Sequence, residues 1–186
     1  METIDNSQFT LEQYMANLKI RITEIMSRPC KETMTYDILD TEKTKKHKTI
    51  VLAEKQRQMK IGEIWQEVLG NYNTCINLGV GHETGLDIIS HPRKIAMELK
   101  NRTNTDNASS RKSNLDKLAK FKREHPDYTC VYGMVNDSTE EKTIRGTIKT
   151  IMHDGVEIKQ YIGMELIRLF LGDDSDKIID FIRNTI

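Results

Sequence analysis

Thr84-Gly-Leu-Asp-Ile-Ile-Ser-His-Pro-Arg-Lys-Ile-Ala-Met-Glu-Leu-Lys-Asn-Arg102 is the stretch on which the reading of the fold turns. Apolar and polar residues alternate from Ile95 onward, so Ile95, Met97 and Leu99 share one face of a strand and Ala96, Glu98 and Lys100 the other. Ser90-His91-Pro92-Arg93 supplies the turn before it. In such a hairpin Glu98 and Lys100 point to the side on which Asp87 lies. Carboxylate oxygens from Asp87 and Glu98 suit a hard divalent cation such as Mg²⁺. That ion lowers the pKa of a bound water and neutralises charge growing on a phosphate. Lys100 would orient or activate the water, or stabilise the developing charge. The pattern points to phosphodiester hydrolysis, against the plainer reading of an exposed hairpin with a charged face.

The residues that follow raise the weight of the first reading. Asn101-Arg-Thr-Asn-Thr-Asp-Asn-Ala-Ser-Ser-Arg-Lys-Ser-Asn114 is almost wholly polar, with four asparagines, three serines and three basic residues. Asn and Arg make two-pronged contacts with adenine and guanine edges, while Ser, Thr and Lys suit phosphate oxygens. The candidates for DNA contact are Asn101, Arg102, Asn104, Asn107, Ser109, Ser110, Arg111 and Lys112, with Arg102 and Arg111 the leading guanine readers. So polar a run is expected as a loop that orders on DNA. Alanine substitutions in it should then leave the thermal stability of the free protein nearly unchanged.

The string Gly-His-Glu-Thr-Gly-Leu-Asp87, followed by Met97-Glu-Leu-Lys-Asn-Arg-Thr-Asn-Thr-Asp-Asn-Ala-Ser-Ser-Arg111, resembles type II restriction endonucleases of the PD-(D/E)xK superfamily. It is most similar to the group that cleaves GGNCC-type sites, in which an ELKN-x-x-NT-x-N-x-S-S string follows the catalytic strand. The resemblance is strongest over roughly residues 60–136, and Leu86-Asp87 stands where the superfamily has proline–aspartate. It implies an α/β fold with a mixed central sheet flanked by helices. It also implies site-specific hydrolysis of double-stranded DNA with Mg²⁺, Mn²⁺ being a substitute. Asp87, Glu98 and Lys100 fall on the catalytic positions. A glutamate on the helix before the hairpin often joins the metal site in this superfamily. Glu63 is the candidate and Glu67, four residues on and on the same helix face, is the second; Glu83 is a third acid near Asp87 in sequence. His82 has no partner at metal-ligand spacing, which disfavours a histidine–metal nuclease.

Composition sets outer bounds. The 186 residues suit one domain with a real core. Basic and acidic residues number 28 each, which excludes a globally basic binder but not a local basic surface. Basic residues gather at Lys43–Lys60 and again from Arg93 to Arg123; within the latter, Lys117–Arg123 reads as a solvated helix face. Cys30, Cys75 and Cys130 form no CxxC pair, so neither a zinc site nor a disulfide framework is indicated. A reducing, cytoplasmic setting is expected, with no signal peptide and no membrane segment.

The pattern predicts a helical amino-terminal part over about 8–28, a catalytic core over about 60–136, and a hairpin with two closing helices over about 143–186, all in one domain. Thr10 begins the first helix, and residues 31–49 read as a loop or frayed helix start. Ile61, Ile64, Trp65, Val68 and Leu69 form a helical stripe ending at Gly70. A helix around Leu115–Lys122 and a strand at 128–135 follow. Asp154-Gly155 is a hairpin turn, and Ser175 is the expected cap of the last helix. A homodimer is expected because one active site per strand is the simplest way to cut a symmetric duplex. A cognate DNA methyltransferase would be a functional rather than physical partner. A structure-specific or nonspecific repair nuclease, and a non-catalytic DNA-binding protein on the same scaffold, remain as alternatives.

Overall fold

The computed structural model describes residues 9–29, 33–79, 81–103 and 107–186. Its centre is a six-stranded sheet in the order β1-β2-β3-β4-β6-β5. The strands are β1 (Ile76–Asn77), β2 (Ile88–Ser90), β3 (Ile95–Arg102), β4 (Thr129–Asn136), β5 (Thr147–His153) and β6 (Val156–Ile162). β3, β4 and β6 run parallel, and antiparallel pairs close both margins. The helices are α1 (Leu11–Ser27), α2 (Glu42–Gly70), α3 (Ala108–Glu124), α4 (Glu140–Arg145), α5 (Met164–Leu171) and α6 (Ser175–Arg183).

Each face of the sheet carries its own core. Ile95, Met97 and Leu99 of β3 pack with α1, α2, α5 and α6, while Ala96 packs with Leu115, Leu118 and Phe121 of α3. The alternation expected for β3 is therefore real, and Glu98 and Lys100 are turned toward the α3 side. Full burial of a side chain such as Leu118 is worth about 1.5–3 kcal/mol, enough with its neighbours to fix α3 on the sheet. Gly133 of β4 has a packing reason: an added Cβ would lie 2.7 Å from Met97 Sδ and 3.1 Å from Leu166 Cδ1.

Several elements differ from the sequence expectations. Helix α2 is one continuous element of 29 residues, begun by a reciprocal bond pair between Thr41 and Thr44. Its first turns, from Glu42, take up the end of the stretch expected as a loop or frayed helix start, because a strong amino-terminal cap needs no apolar stripe behind it. The polar run after Lys100 is not a loop throughout. β3 continues to Arg102, and α3 starts at Ala108 with the Asn107 side chain accepting from Ser110 N at 2.8 Å. The short helix α4 was not foreseen. Ser175 is not a cap: its hydroxyl donates to Gly172 O at 2.6 Å, within a single 3₁₀ turn that leads into α6. The β5–β6 hairpin turns at Asp154-Gly155 as expected, with His153 opposite Val156. Among the described residues no helix is long and apolar enough to cross a membrane.

Candidate active site

Asp87 immediately precedes β2, and its backbone N–H donates to Met97 O at 3.0 Å across the hairpin. Its carboxylate accepts from Leu99 N at 2.7 Å and from Gln66 Nε2 at 3.0 Å. Glu98 is buried on the neighbouring strand. Its Oε1 accepts from Lys100 Nζ at 2.8 Å and lies 3.9 Å from Lys117 Nζ. Its Oε2 is buried without a hydrogen-bond partner among the described residues. The structure thus brings Asp87, Glu98 and Lys100 together.

Burial pushes both carboxyls above the usual carboxylate range. For Glu98 the nearby charge of Asp87 adds to the rise, and Lys100 and Lys117 oppose it. For Asp87 the Leu99 N–H and the same two lysines oppose it. Desolvation of two like charges, incompletely offset by ammonium groups, is the electrostatic condition in which a divalent cation is most welcome. Glu98 Oε2 is a lone pair taken out of water with nothing to meet it, a costly arrangement that a cation would relieve.

The expected third acid does not join this group. Glu63 Oε1 bonds Arg28 at 2.6 Å, and Glu67 accepts from Arg21, Asn71 and Asn77. Both glutamates face α1. The α2 side chain that reaches Asp87 is Gln66, one position round the helix, which sequence spacing alone did not single out. Glu83 is exposed in the loop before Asp87. His82 is occupied locally, with Nδ1 2.9 Å from Thr84 Oγ1.

The polar run divides into structural and solvent-facing parts. Asn101 ties three elements: its amide donates to Gln58 Oε1 at 3.2 Å, and its two oxygens accept from Asn136 Nδ2 at 3.0 Å. Asn107 caps α3 and also accepts from Ser109 Oγ at 3.0 Å. Arg111 lies with its guanidinium 5.7 Å from the ring centre of Tyr132, the β4 residue paired with Glu98. Arg102 and Lys112 are exposed, and Asn104 lies outside the described residues. The cavity of about 600 Å³ between α2, α5 and α6 is lined by residues such as Trp65, Arg102 and Ile182, and none of Asp87, Glu98 or Lys100 contributes to it.

A second group of possible metal ligands, Asp116, His153 and Asp154, has ligand atoms within 4.8 Å of one another. It joins α3 to the β5–β6 turn, with His153 Nε2 2.6 Å from Asp116 Oδ1. Both aspartates are exposed.

A half-buried Asp87 before β2, beside a buried Glu98 and a lysine on β3 of a mixed, helix-flanked sheet, gives a nuclease-like α/β protein. The sequence profile described as the Eco47II restriction endonuclease matches residues 6–162, and the chain belongs to that family. It is a sequence-specific type II restriction endonuclease and binds DNA. No curated protein matches the chain.

Proposed function

We propose that Asp87, Glu98 and Lys100 are the catalytic centre of this endonuclease and that Mg²⁺, or Mn²⁺ in its place, is held by the two carboxylates. The observation that carries the reading is the partnerless buried Glu98 Oε2 beside Asp87, with Lys100 already on Oε1. When bound, the ion would supply a water of lowered pKa and charge neutralisation at the phosphate. Gln66 and the Leu99 N–H hold the Asp87 carboxylate in one orientation. Lys100 favours the ionised form of Glu98 against the pull of burial and aligns it, and its remaining donors serve the attacking water or the phosphate oxygens. Glu63 would act as a third acid only by giving up Arg28.

DNA reading is assigned to the amino-terminal end of α3 and the residues before it. Ser109, Ser110, Arg111 and Lys112 lie there with Arg102, and Asn104 belongs to the same run. Asn101 and Asn107 contribute by setting the strand end and the helix start rather than by direct base contact. Within one domain of residues 1–186, the protein would act as a homodimer on a symmetric GGNCC-like site. It would do so in the cytoplasm, beside a cognate methyltransferase that need not touch it.

The test is incubation of purified protein with plasmid and phage DNA in Mg²⁺, Mn²⁺, Ca²⁺ or EDTA. Discrete fragments in Mg²⁺ and none in EDTA are expected, with ends mapping to GGNCC. A smear would point to a nonspecific nuclease, and cleavage in EDTA would remove the metal from the scheme.

A further inference from the structure

We propose that Lys117, on α3, is a further catalytic residue of this site, contacting the scissile phosphate directly. The inference rests on the reading of Asp87, Glu98 and Lys100 as the catalytic centre. Lys117 Nζ lies 3.9 Å from Glu98 Oε1, the oxygen that Lys100 already binds at 2.8 Å. At that distance the pairing is long-range attraction rather than a hydrogen bond. The ammonium is held near the acids with its donors uncommitted to Glu98. Its side chain is 40% exposed against 24% for Lys100, so it is the more accessible of the two lysines to a ligand from solvent.

The backbone makes room for this lysine. Gly85, two residues before Asp87, has φ +65°, and a Cβ there would lie 3.3 Å from Lys117 Cδ and 3.4 Å from Cε. The aliphatic stem therefore passes over bare backbone to reach the acids. Because α3 is fixed by Leu115, Leu118 and Phe121, the point from which the Lys117 side chain reaches out is set by packing on the sheet rather than by a loop.

Charge accounting gives the residue its task. Asp87, Glu98, Lys100 and Lys117 sum to zero. A bound divalent cation brings the site to two positive charges. In hydrolysis a water oxygen forms a bond to phosphorus, and the bond from phosphorus to one sugar oxygen breaks. The proton lost by the water is matched by one gained at that sugar oxygen. Between these events the phosphorus group carries two negative charges, one from the diester and one from the attacking hydroxide. Lys117 exchanges no proton; it meets the charge that grows on a non-bridging oxygen. One rigid helix then carries both the DNA-facing residues at its start and a phosphate contact two turns later, so correct seating of the first delivers the second.

Single-turnover cleavage in saturating Mg²⁺, with cognate binding measured in Ca²⁺, tests this. Lys117→Ala and Lys117→Met should each slow cleavage by about 10²-fold. Cognate binding, melting temperature and the Mg²⁺ concentration for half-maximal rate should be little changed, and Lys117→Arg should restore part of the rate. A wild-type rate in Lys117→Met would overturn the proposal. So would a loss recovered by raising Mg²⁺, since Lys117 would then act only by tuning Glu98. Glu98→Ala separates the two readings: if it cleaves, the catalytic centre itself is misplaced. If it is inactive while Lys117→Met cleaves normally, only the role of Lys117 falls.

Discussion

Asp87 and Glu98 sit inside the sheet wall, whereas Asp116, His153 and Asp154 stand on the surface where the β5–β6 turn meets α3. Both groups bring acids near one another, and there the likeness ends. In the surface group His153 Nε2 already meets Asp116 and lies 3.9 Å from the exposed Asp154 carboxylate. Water solvates what remains, so little energy is gained by adding an ion. In the sheet the same chemistry is desolvated, the carboxyls are pushed upward, and one oxygen has no partner. What sets Asp87 and Glu98 apart from the surface cluster is their lost solvation, not their spacing.

The largest expected effect sharpens that contrast. Asp87→Ala or Glu98→Ala should remove several kcal/mol of charge stabilisation, lowering the cleavage rate by about three orders of magnitude or more. Asp116→Ala should leave the rate unchanged in the same assay. A collapse of activity in Asp116→Ala would reverse the assignment of the two groups.

Next in size is Lys100. Lys100→Ala should slow cleavage by about 10²–10³-fold while keeping most cognate binding in Ca²⁺. Lys100→Arg should rescue it incompletely, because a guanidinium is bulkier and more diffuse. Equal losses of binding and cleavage would make Lys100 an ordinary phosphate contact.

The raised carboxyls have a thermodynamic signature with a definite sign. A carboxyl whose folded pKa exceeds its unfolded value binds more protons in the native state. Its contribution is therefore favourable at low pH and is lost as pH rises from the ordinary carboxylate range, about 4, through the folded value. Metal-free Glu98→Gln should melt higher than the wild type at neutral pH. Mg²⁺ should raise the melting temperature of the wild type more than that of the variant, and this difference should shrink on acidification. A variant less stable than the wild type would mean that the bond from Lys100 outweighs the burial of Glu98.

Two smaller effects close the series. Asn107→Ala should cost about 1 kcal/mol in chemical denaturation, since the side chain caps α3; no change would return that residue to the solvent-facing set. Asp116→Ala, which removes the exposed partner of His153, should cost about 0.5 kcal/mol or less in the same denaturation, as expected of an exposed pair.

The legible part of the site was the part written in one strand. A period of two turned Glu98 and Lys100 to one side, and the hairpin turn brought Asp87 back against them. Gln66 and Lys117 are hidden because their places beside Asp87 and Glu98 come from how helices lie against the sheet. Lys117 sits among Lys112, Lys120 and Lys122, and its neighbours made it look like part of a solvated face. Gln66 lost to Glu63 and Glu67 because an acid is the obvious metal ligand, but α1 presents Arg28 and Arg21 to those two. The polar run carries two meanings at once. Asn, Ser and Thr suit DNA, and the same side chains cap helices and tie strand ends, as Asn107 and Asn101 do here.

Helix α2 contains no buried residue from Glu42 through Glu63, and Ile50, Val51 and Met59 stand exposed on it. At about 1.5 Å per residue that stretch extends roughly 30 Å. Contacts from Met34, Tyr36 and Asp40 steady only its first turns. The remaining turns, from Ile64 to Gly70, are packed in the core and hold Asp87 through Gln66. One unbroken hydrogen-bond ladder therefore spans two regimes of time. Amide protons near its start exchange through local fraying, and those near Val68 exchange only when the sheet itself opens. A gradient of protection along α2 would record, residue by residue, where the body of the enzyme begins.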